Sequence, residues 1–380
     1  MNDVVNKGLL PQGLRDLLPP LAEAEAALVE RLMAALASNG YERVEPPLVE
    51  FEDNLLSGAG ASMATETFRL MDPVSQRMIG VRADMTPQVA RIAATRLVKS
   101  PRPLRLSYTG QVLRVKGGQL YPERQLGQVG AELIGSDDVA ADIEVLTVAA
   151  EALAAVGMTG LSVDLTLPRL VPLVCSALGL DAGRSERIAA ALDHKDAAAV
   201  AAVGGKAASL LGKLLAAAGT ADKTLKTLSA LKLPAEAAAE LRRLAAVCKE
   251  VKARVPSLVM TIDPVEKRGF EYHAGISFAF FAGSVRGELG RGGRYRTGNG
   301  GGEPATGFTI YTDLVVEALP QPAVSRRLFV PAGSDAALAR KLRGEGWITV
   351  AALSAGGEKA EAKRLRCTHW LVGGKIVAVP

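Results

Sequence analysis

The chain has 380 residues, of which 48% are hydrophobic and 22% charged, a composition that describes a folded protein and excludes a disordered one. No run approaches the ~20 apolar residues that cross a bilayer, and MNDVVNKGLLPQGLRDLLPP lacks the features of a signal peptide, so a cytoplasmic protein without membrane association is expected. Net charge is +5, and residues 321–380 hold ten Lys/Arg and four Asp/Glu against 35 bases and 36 acids before them, which places the basic excess at the carboxyl end.

Residues 21–37 put Leu21, Leu28, Leu32 and Leu36 on one helical face, entered through Pro19-Pro20. Thr86-Pro87 reads as a helix start that continues through 88–99, with Thr86 the N-cap and Pro87 at the first position. The alternating stretches LRLSY, QVLRV, QLGQVGAELIG, LSVDLTL, LVMTID, ISFAFF and SVRGEL predict strands joined by turns, most naturally an antiparallel sheet. A helix from about Asp138 to Val156 separates two of them. Strand groups flanked by helices, without regular βαβ alternation, imply an α+β fold.

Residues 176–254 turn alanine-rich and lose strand patterning, which reads as a helical insertion; its clearest helix is 235–253, after Pro234. Beyond Pro320-Gln321-Pro322, RLFVPA, DAALARKLRGEG, WITVAAL, a short helix, THWLVG and KIVAV alternate as a small α/β domain. The expected organisation is a core of residues 1–175 and 255–320, an insertion of 176–254, and a C-terminal domain of 321–380.

Three segments supply convergent polar groups. In VRADMTPQVAR, Asp84 and Thr86 stand where a strand or loop becomes a helix; capping alone accounts for both. In QLGQVGAELIG, period two puts Gln128 and Glu132 on one sheet face with Gly130 between them, an open floor for a ligand or simply a solvated face. Arg114, on the preceding strand, can face the same side. In KRGFEYHAGISF, Arg268, Tyr272 and His273 cluster before a strand, although His273 suits a packed core equally. Together they suit a zwitterionic amino acid with a polar ring: Asp84 and Thr86 accept from its ammonium, Arg114 grips its carboxylate, Glu132 pairs with its side chain. The glycine-rich GRGGRYRTGNGGGEPATG marks the turn into a further strand, with Arg291 or Arg294 available to a neighbouring or ligand carboxylate.

No GxxxxGK[ST], GxSxG, HExxH or GxGxxG after a strand occurs. Cys175, Cys248 and Cys367 are far apart, as are the three histidines, so neither a disulfide framework nor a metal site is expected.

In order, these segments resemble histidyl-tRNA synthetase, a class II synthetase, over about residues 10–318. GYERVEPPLVEFEDNL resembles its motif 1 region, used for dimerisation; GQVLRV and ERQLGQVGAELIG resemble motif 2; RGFEYHAGISF is similar to its histidine-specific signature; and GGRYRTGNGGGEPATGFTI resembles the approach to motif 3. The resemblance implies histidine contacts at Asp84, Thr86, Arg114, Gln128, Glu132, Arg268, Tyr272 and His273, on a class II antiparallel sheet flanked by helices. Asp84 stands where the synthetases have glutamate. Lys116 stands where they have an adenine-binding glutamate, GGQLYPE replaces their arginine-bearing loop, and Tyr311, Thr312, Asp313 and Leu314 replace a Gly-Leu-Glu-Arg type sequence. Losing one such charge clamp costs ~3–4 kcal/mol of transition-state stabilisation, so several losses argue against adenylation.

A histidine pocket kept beside a dismantled ATP site resembles the regulatory subunits of short-form ATP phosphoribosyltransferase, paralogues of the synthetase. That resemblance implies no catalytic residues, no cofactor and no metal. It implies a separate catalytic subunit as partner, histidine as effector, and a homodimer within a larger hetero-oligomer. Nucleic acid is not expected, since aromatic residues are only 4% of the chain and form no stacking platform. The alternatives are a divergent histidyl-tRNA synthetase or other histidine-activating ligase, marked by histidine-dependent pyrophosphate–ATP exchange, and an RNA-binding module using the basic end, marked by steep salt dependence.

Overall fold

The computed structural model describes residues 8–118, 121–266, 273–298, 301–320 and 326–380. The chain divides into two units, Met1–Leu319 and Pro320–Pro380.

In the first unit the chain runs through α1 (Leu21–Ser38), β1 (Glu42–Arg43), β2 (Val49–Phe51), α2 (Glu52–Leu55), β3 (Phe68–Met71), β4 (Met78–Val81) and α3 (Thr86–Thr95). It continues through β5 (Leu104–Leu113), β6 (Gln125–Ile134), α4 (Val139–Ala155), β7 (Leu161–Thr166), α5 (Leu170–Ala177), α6 (Ala182–Asp193), α7 (Ala197–Ala202) and α8 (Gly205–Leu215). Then come β8 (Gly219–Thr220), α9 (Ala221–Ser229), α10 (Ala235–Arg254), β9 (Val259–Asp263), β10 (His273–Ala282), β11 (Gly290–Arg296), β12 (Pro304–Tyr311) and α11 (Thr312–Ala318).

A nine-stranded sheet in the order β1-β5-β6-β12-β11-β10-β7-β9-β8 organises this unit. Its centre, β5 through β7, is antiparallel, as period-two patterning predicts. The β1/β5 and β7/β9 pairs are parallel, so the sheet is mixed rather than wholly antiparallel. A separate three-stranded sheet, β2-β4-β3, carries no comparable sequence signal because its strands are three or four residues long. LRLSY and QVLRV are one continuous strand, β5. SVRGEL is not a strand: it forms the turn between β10 and β11, where Gly287 takes a φ of 134° that interrupts extended backbone. Residues Gly290–Arg296 are themselves a strand rather than a lead-in to one.

Helix α1 buries Leu28, Leu32, Met33 and Leu36 on one face, against α4, β5, β6 and α11. Helix α4 is buried nearly all round because it lies between the sheet and both α1 and α10. Asp138 caps it, accepting from the Ala140 amide at 2.9 Å. Helix α3 starts one residue earlier than a Thr86 cap requires: Met85 is the cap residue, Thr86 and Pro87 open the first turn, and the helix stops at Thr95 rather than 99. The helices of 176–254 share the sheet's core. Leu192, Leu211, Leu228, Leu244 and Val251 join one continuous apolar cluster with the strands, and β8 extends the main sheet at its edge.

In the second unit β13 (Arg327–Val330), α12 (Ala336–Gly344), β14 (Ile348–Ala351), α13 (Glu358–Arg364), β15 (His369–Val372) and β16 (Lys375–Ala378) form a sheet ordered β14-β13-β15-β16. β13 is parallel to both neighbours, and β16 returns antiparallel to β15. Alternation along β13 sends Leu328 and Val330 into one cluster with Leu342 and Trp347, and Phe329 into another with Ala362 and Cys367. Each face is thus covered by one helix. Among the described residues no helix is long and apolar enough to cross a membrane.

Candidate functional site

The strand register assembles the site row by row. Gly110, Gln128 and Tyr311 are partners across β5, β6 and β12. Two residues along, and so on the same face, is the row Tyr108, Gly130, Thr309 and Arg291, and two further is Leu106, Glu132, Gly307, Gly293 and Ser277. Alternate residues of a strand share a sheet face, so Gln128 and Glu132 do lie on one side, both fully buried. The face is not solvated, and Gly130 is not an open floor. A Cβ there would overlap the Tyr108 phenol, whose ring fills the space between the two polar residues. What approaches the glycine is a tyrosine of the neighbouring strand.

Glu132 sits at the centre. Its Oε1 accepts from Thr86 Oγ1 at 2.9 Å and from Tyr108 Oη at 3.2 Å, and its Oε2 from Tyr295 Oη at 2.9 Å. Tyr108 Oη also pairs with Thr309 Oγ1 at 2.7 Å. The carboxyl needs the glycine opposite it, since a Cβ at Gly307 would overlap Glu132. Burial pushes the Glu132 pKa up to about 8; the hydroxyls of Thr86, Tyr295 and Tyr108 oppose the rise, and the nearby charge of Asp84 adds to it. The same burial, with Glu132 and Asp84 alongside, raises the Tyr108 phenol well above its ordinary range.

Thr86 is not the cap of α3. Asp84 takes the capping part, its Oδ1 accepting from the Thr86 amide at 2.8 Å, and this frees the Thr86 hydroxyl to meet Glu132. Gln128 ties the same loop to the sheet, donating through Nε2 to Asp84 Oδ2 at 3.1 Å and accepting from the Met85 amide at 3.2 Å. Asp84, Thr86, Gln128 and Glu132 therefore form one bonded network, drawn from β6 and the start of α3. Arg114 lies at the end of β5. Its guanidinium is 5.6 Å from the Tyr311 ring centroid, and its Nη2 donates to Tyr311 Oη at 3.4 Å. Arg268 and Tyr272 lie outside the described residues; of His273 the strand pairing with Tyr295 is described.

A narrow cavity of about 20 Å³ opens onto this face, lined by Asp84, Thr86, Glu132, Arg291, Tyr295 and Thr309. That is room for about one water, so an amino acid enters only as side chains move. Arg291 pairs with Glu288 and lines the cavity. Arg294, on the opposite face, is committed to Asp142. Tyr108, Tyr295 and Thr309 were not singled out by sequence reasoning, although the alternation of Gly307, Thr309 and Tyr311 carries the signal for the last. Among the described residues no group of three or more His, Cys, Asp or Glu is placed to hold a metal ion.

The neighbouring wall is occupied by protein. Tyr311 and Leu314 are buried, Leu314 facing the turn at Gly287. Asp313 accepts from the Gly127 amide at 2.7 Å, and Thr312 donates to Glu25 at 2.8 Å. Lys116 is exposed. These contacts fasten α11 to β6 and α1 and leave the Tyr311 hydroxyl accepting from Arg114.

The histidyl-tRNA synthetase family model matches residues 13–315. An ATP phosphoribosyltransferase regulatory subunit of Paramagnetospirillum magneticum is 58% identical over 380 residues, covering all of both chains. One from Rhodospirillum centenum is 59% identical over 369 residues, 97% of this chain and 95% of that protein. Among solved structures, an ATP phosphoribosyltransferase regulatory subunit/histidyl-tRNA synthetase from Bacillus halodurans superposes with a TM-score of 0.81 at 23% identity, covering 94% of this chain and 96% of that one. A chain of an ATP phosphoribosyl transferase (HisG:HisZ) complex from Thermotoga maritima gives 0.60 at 17% identity, covering 76% and 97%; at such identities the likeness speaks for the fold. The chain belongs to the ATP phosphoribosyltransferase regulatory subunits, a branch of the histidyl-tRNA synthetase family with the class II synthetase-like fold.

Proposed function

We propose that this chain is a non-catalytic subunit that activates a separate ATP phosphoribosyltransferase catalytic subunit and relays histidine as a feedback signal. The observation that carries the reading is the buried hydroxyl-lined Glu132 network set beside a wall closed by Tyr311, Leu314 and their partners. Glu132, Thr86 and Tyr295 receive the imidazole side; Asp84, with Gln128 behind it, receives the ammonium; Arg114 receives the carboxylate once it leaves the Tyr311 ring. Arg268, Tyr272 and His273 complete the pocket in this reading. The protein works in the cytoplasm as a homodimer within a hetero-oligomer.

Histidine acts by differential affinity. Occupying the narrow cavity rearranges its walls, and a catalytic subunit that grips the two arrangements unequally changes activity; a coupling of about 1–3 kcal/mol suffices. The test is phosphoribosyl transfer to ATP by the catalytic subunit, assayed with and without this chain and with and without histidine. The chain is expected to raise the rate, histidine to lower it, and Glu132→Ala to abolish the histidine response while activation persists. A complex whose rate ignores histidine contradicts the sensing role; a catalytic subunit unaffected by this chain contradicts the activating one.

A further inference from the structure

An ion cluster centred on the buried Arg294–Asp142 pair ties α10 to the strand β11 of the cavity wall. Arg294 sits between the cavity-lining residues Gly293 and Tyr295 on β11, so its side chain leaves the opposite face of the strand. It is 5% exposed. Its Nη2 lies 2.9 Å from Asp142 Oδ1, its Nη1 donates to the Ser136 carbonyl at 2.9 Å and to Asp137 Oδ1 at 3.2 Å, and Nη2 also donates to the Asp138 carbonyl at 3.1 Å. Asp142, in the first turn of α4 and 2% exposed, takes a second guanidinium: Arg243 of α10 donates through Nε to Asp142 Oδ2 at 2.8 Å and through Nη2 to the Asp137 carbonyl at 2.9 Å.

Besides Arg294, side chains fix this strand at Arg291, paired with Glu288, and at the buried Tyr295, bonded to Glu132. The strand reads GRGGRYR, and the glycines at 290, 292 and 293 present no side chains to pack. The Arg294 stem also fills the notch over Gly275, where a Cβ would stand 3.1 Å from its Cδ, at the register shift between His273 and Ser277 on β10. A single side chain of the strand bearing Tyr295 thus contacts the irregular start of β10 and the start of α4. Its counter-ion is shared with α10, which packs against α4. Arg294 and Asp142 are both buried, and a buried charge left without its partner is costly, so each needs the other in place.

We infer that Arg243 is a positioning residue for the cavity, acting through Asp142 and Arg294 to hold β11 and thereby linking α10 to Tyr295 and Glu132. Motion of α10 alters the cavity, and by reciprocity occupancy of the cavity is felt at α10. Only the ligand half of the test rests on the histidine reading. In the full-length chain, Arg243→Gln is expected to speed amide exchange of residues 290–296 and 273–277 roughly tenfold while β5 and β6 hold, with Arg243→Lys restoring part of the protection. Unchanged β11 exchange, or all strands accelerating together, overturns the positioning role; Arg243→Lys also supplies the comparison should the glutamine variant not fold. For the ligand half, histidine dissociation constants are measured calorimetrically for Arg243→Gln, Tyr295→Phe and the double variant. The double variant is expected to lose affinity by about threefold less than the product of the single losses. Strictly multiplicative losses break the link to the cavity. Absence of histidine binding to the unaltered chain contradicts the proposed function instead, leaving the exchange result to decide the clamp.

Discussion

Replacing Glu132 by glutamine keeps the size of the buried group and removes its titration. Glu132 is 1% exposed, and burial, the largest cause, raises its pKa from 4.5 to about 8. Below about pH 4.5 the carboxyl is protonated in both the folded and the unfolded chain, and burial carries no penalty for charge. Between about 4.5 and 8 the unfolded chain has released this proton while the folded chain retains it. Folding then takes up a proton, and stability falls as pH rises by about 1.4 kcal/mol per pH unit. Above about 8 both states are ionised and the slope vanishes. Glu132→Gln lacks this proton uptake while sharing the other titrating side chains. Urea denaturation of both proteins at a series of pH values from 5 to 9, taken as a difference, therefore isolates Glu132. The variant is expected to gain about 3–4 kcal/mol on the unaltered protein between pH 5 and pH 8, and nothing beyond. A difference that stays flat, or one in which the unaltered protein gains as pH rises, refutes the assignment of Glu132 as a buried carboxyl that keeps its proton.

Gly307→Ala drives a methyl group into the Glu132 carboxylate and the Ala131 carbonyl, so a loss of about 1–3 kcal/mol in thermal denaturation is expected, together with weaker histidine binding. Asp138→Ala removes the cap that accepts from the Ala140 amide and should cost ~1 kcal/mol by the same assay; a neutral result means that the start of α4 is held by Arg294 and Arg243 alone. The isolated chain is expected to show no histidine-dependent exchange of pyrophosphate into ATP, and Leu314→Arg alone is expected not to create it, because Tyr311 remains packed against Arg114. Exchange by the unaltered chain supports the synthetase alternative.

The second unit was legible in nearly all its elements because its strands and helices alternate, with turn residues between them and one hydrophobic period in each. The pairing of Gln128 with Glu132 on one face was legible for the same reason: a ten-residue strand admits no other arrangement of alternate side chains. What fills the space between them was not, since Tyr108 reaches Gly130 from another strand and local pattern carries no information about register. Thr86 illustrates the same limit. Locally it looks like a cap, yet Asp84 satisfies its amide and a carboxyl 46 residues away claims its hydroxyl. SVRGEL alternates as a strand does but bends at a glycine whose φ is positive. The site residues contributed by β11 and β12 were obscured because their glycines mimic a loop, whereas in the sheet they make room for Glu132 and for neighbouring backbone.

The central claim is that the Glu132 cavity binds histidine while the adjoining wall no longer serves ATP. Calorimetric titration of L-histidine into the purified chain, repeated with Glu132→Ala, tests it most directly. Saturable binding at one site per chain that the alanine variant loses is the expected result. Titrations that show no binding, or binding equal in both proteins, contradict it.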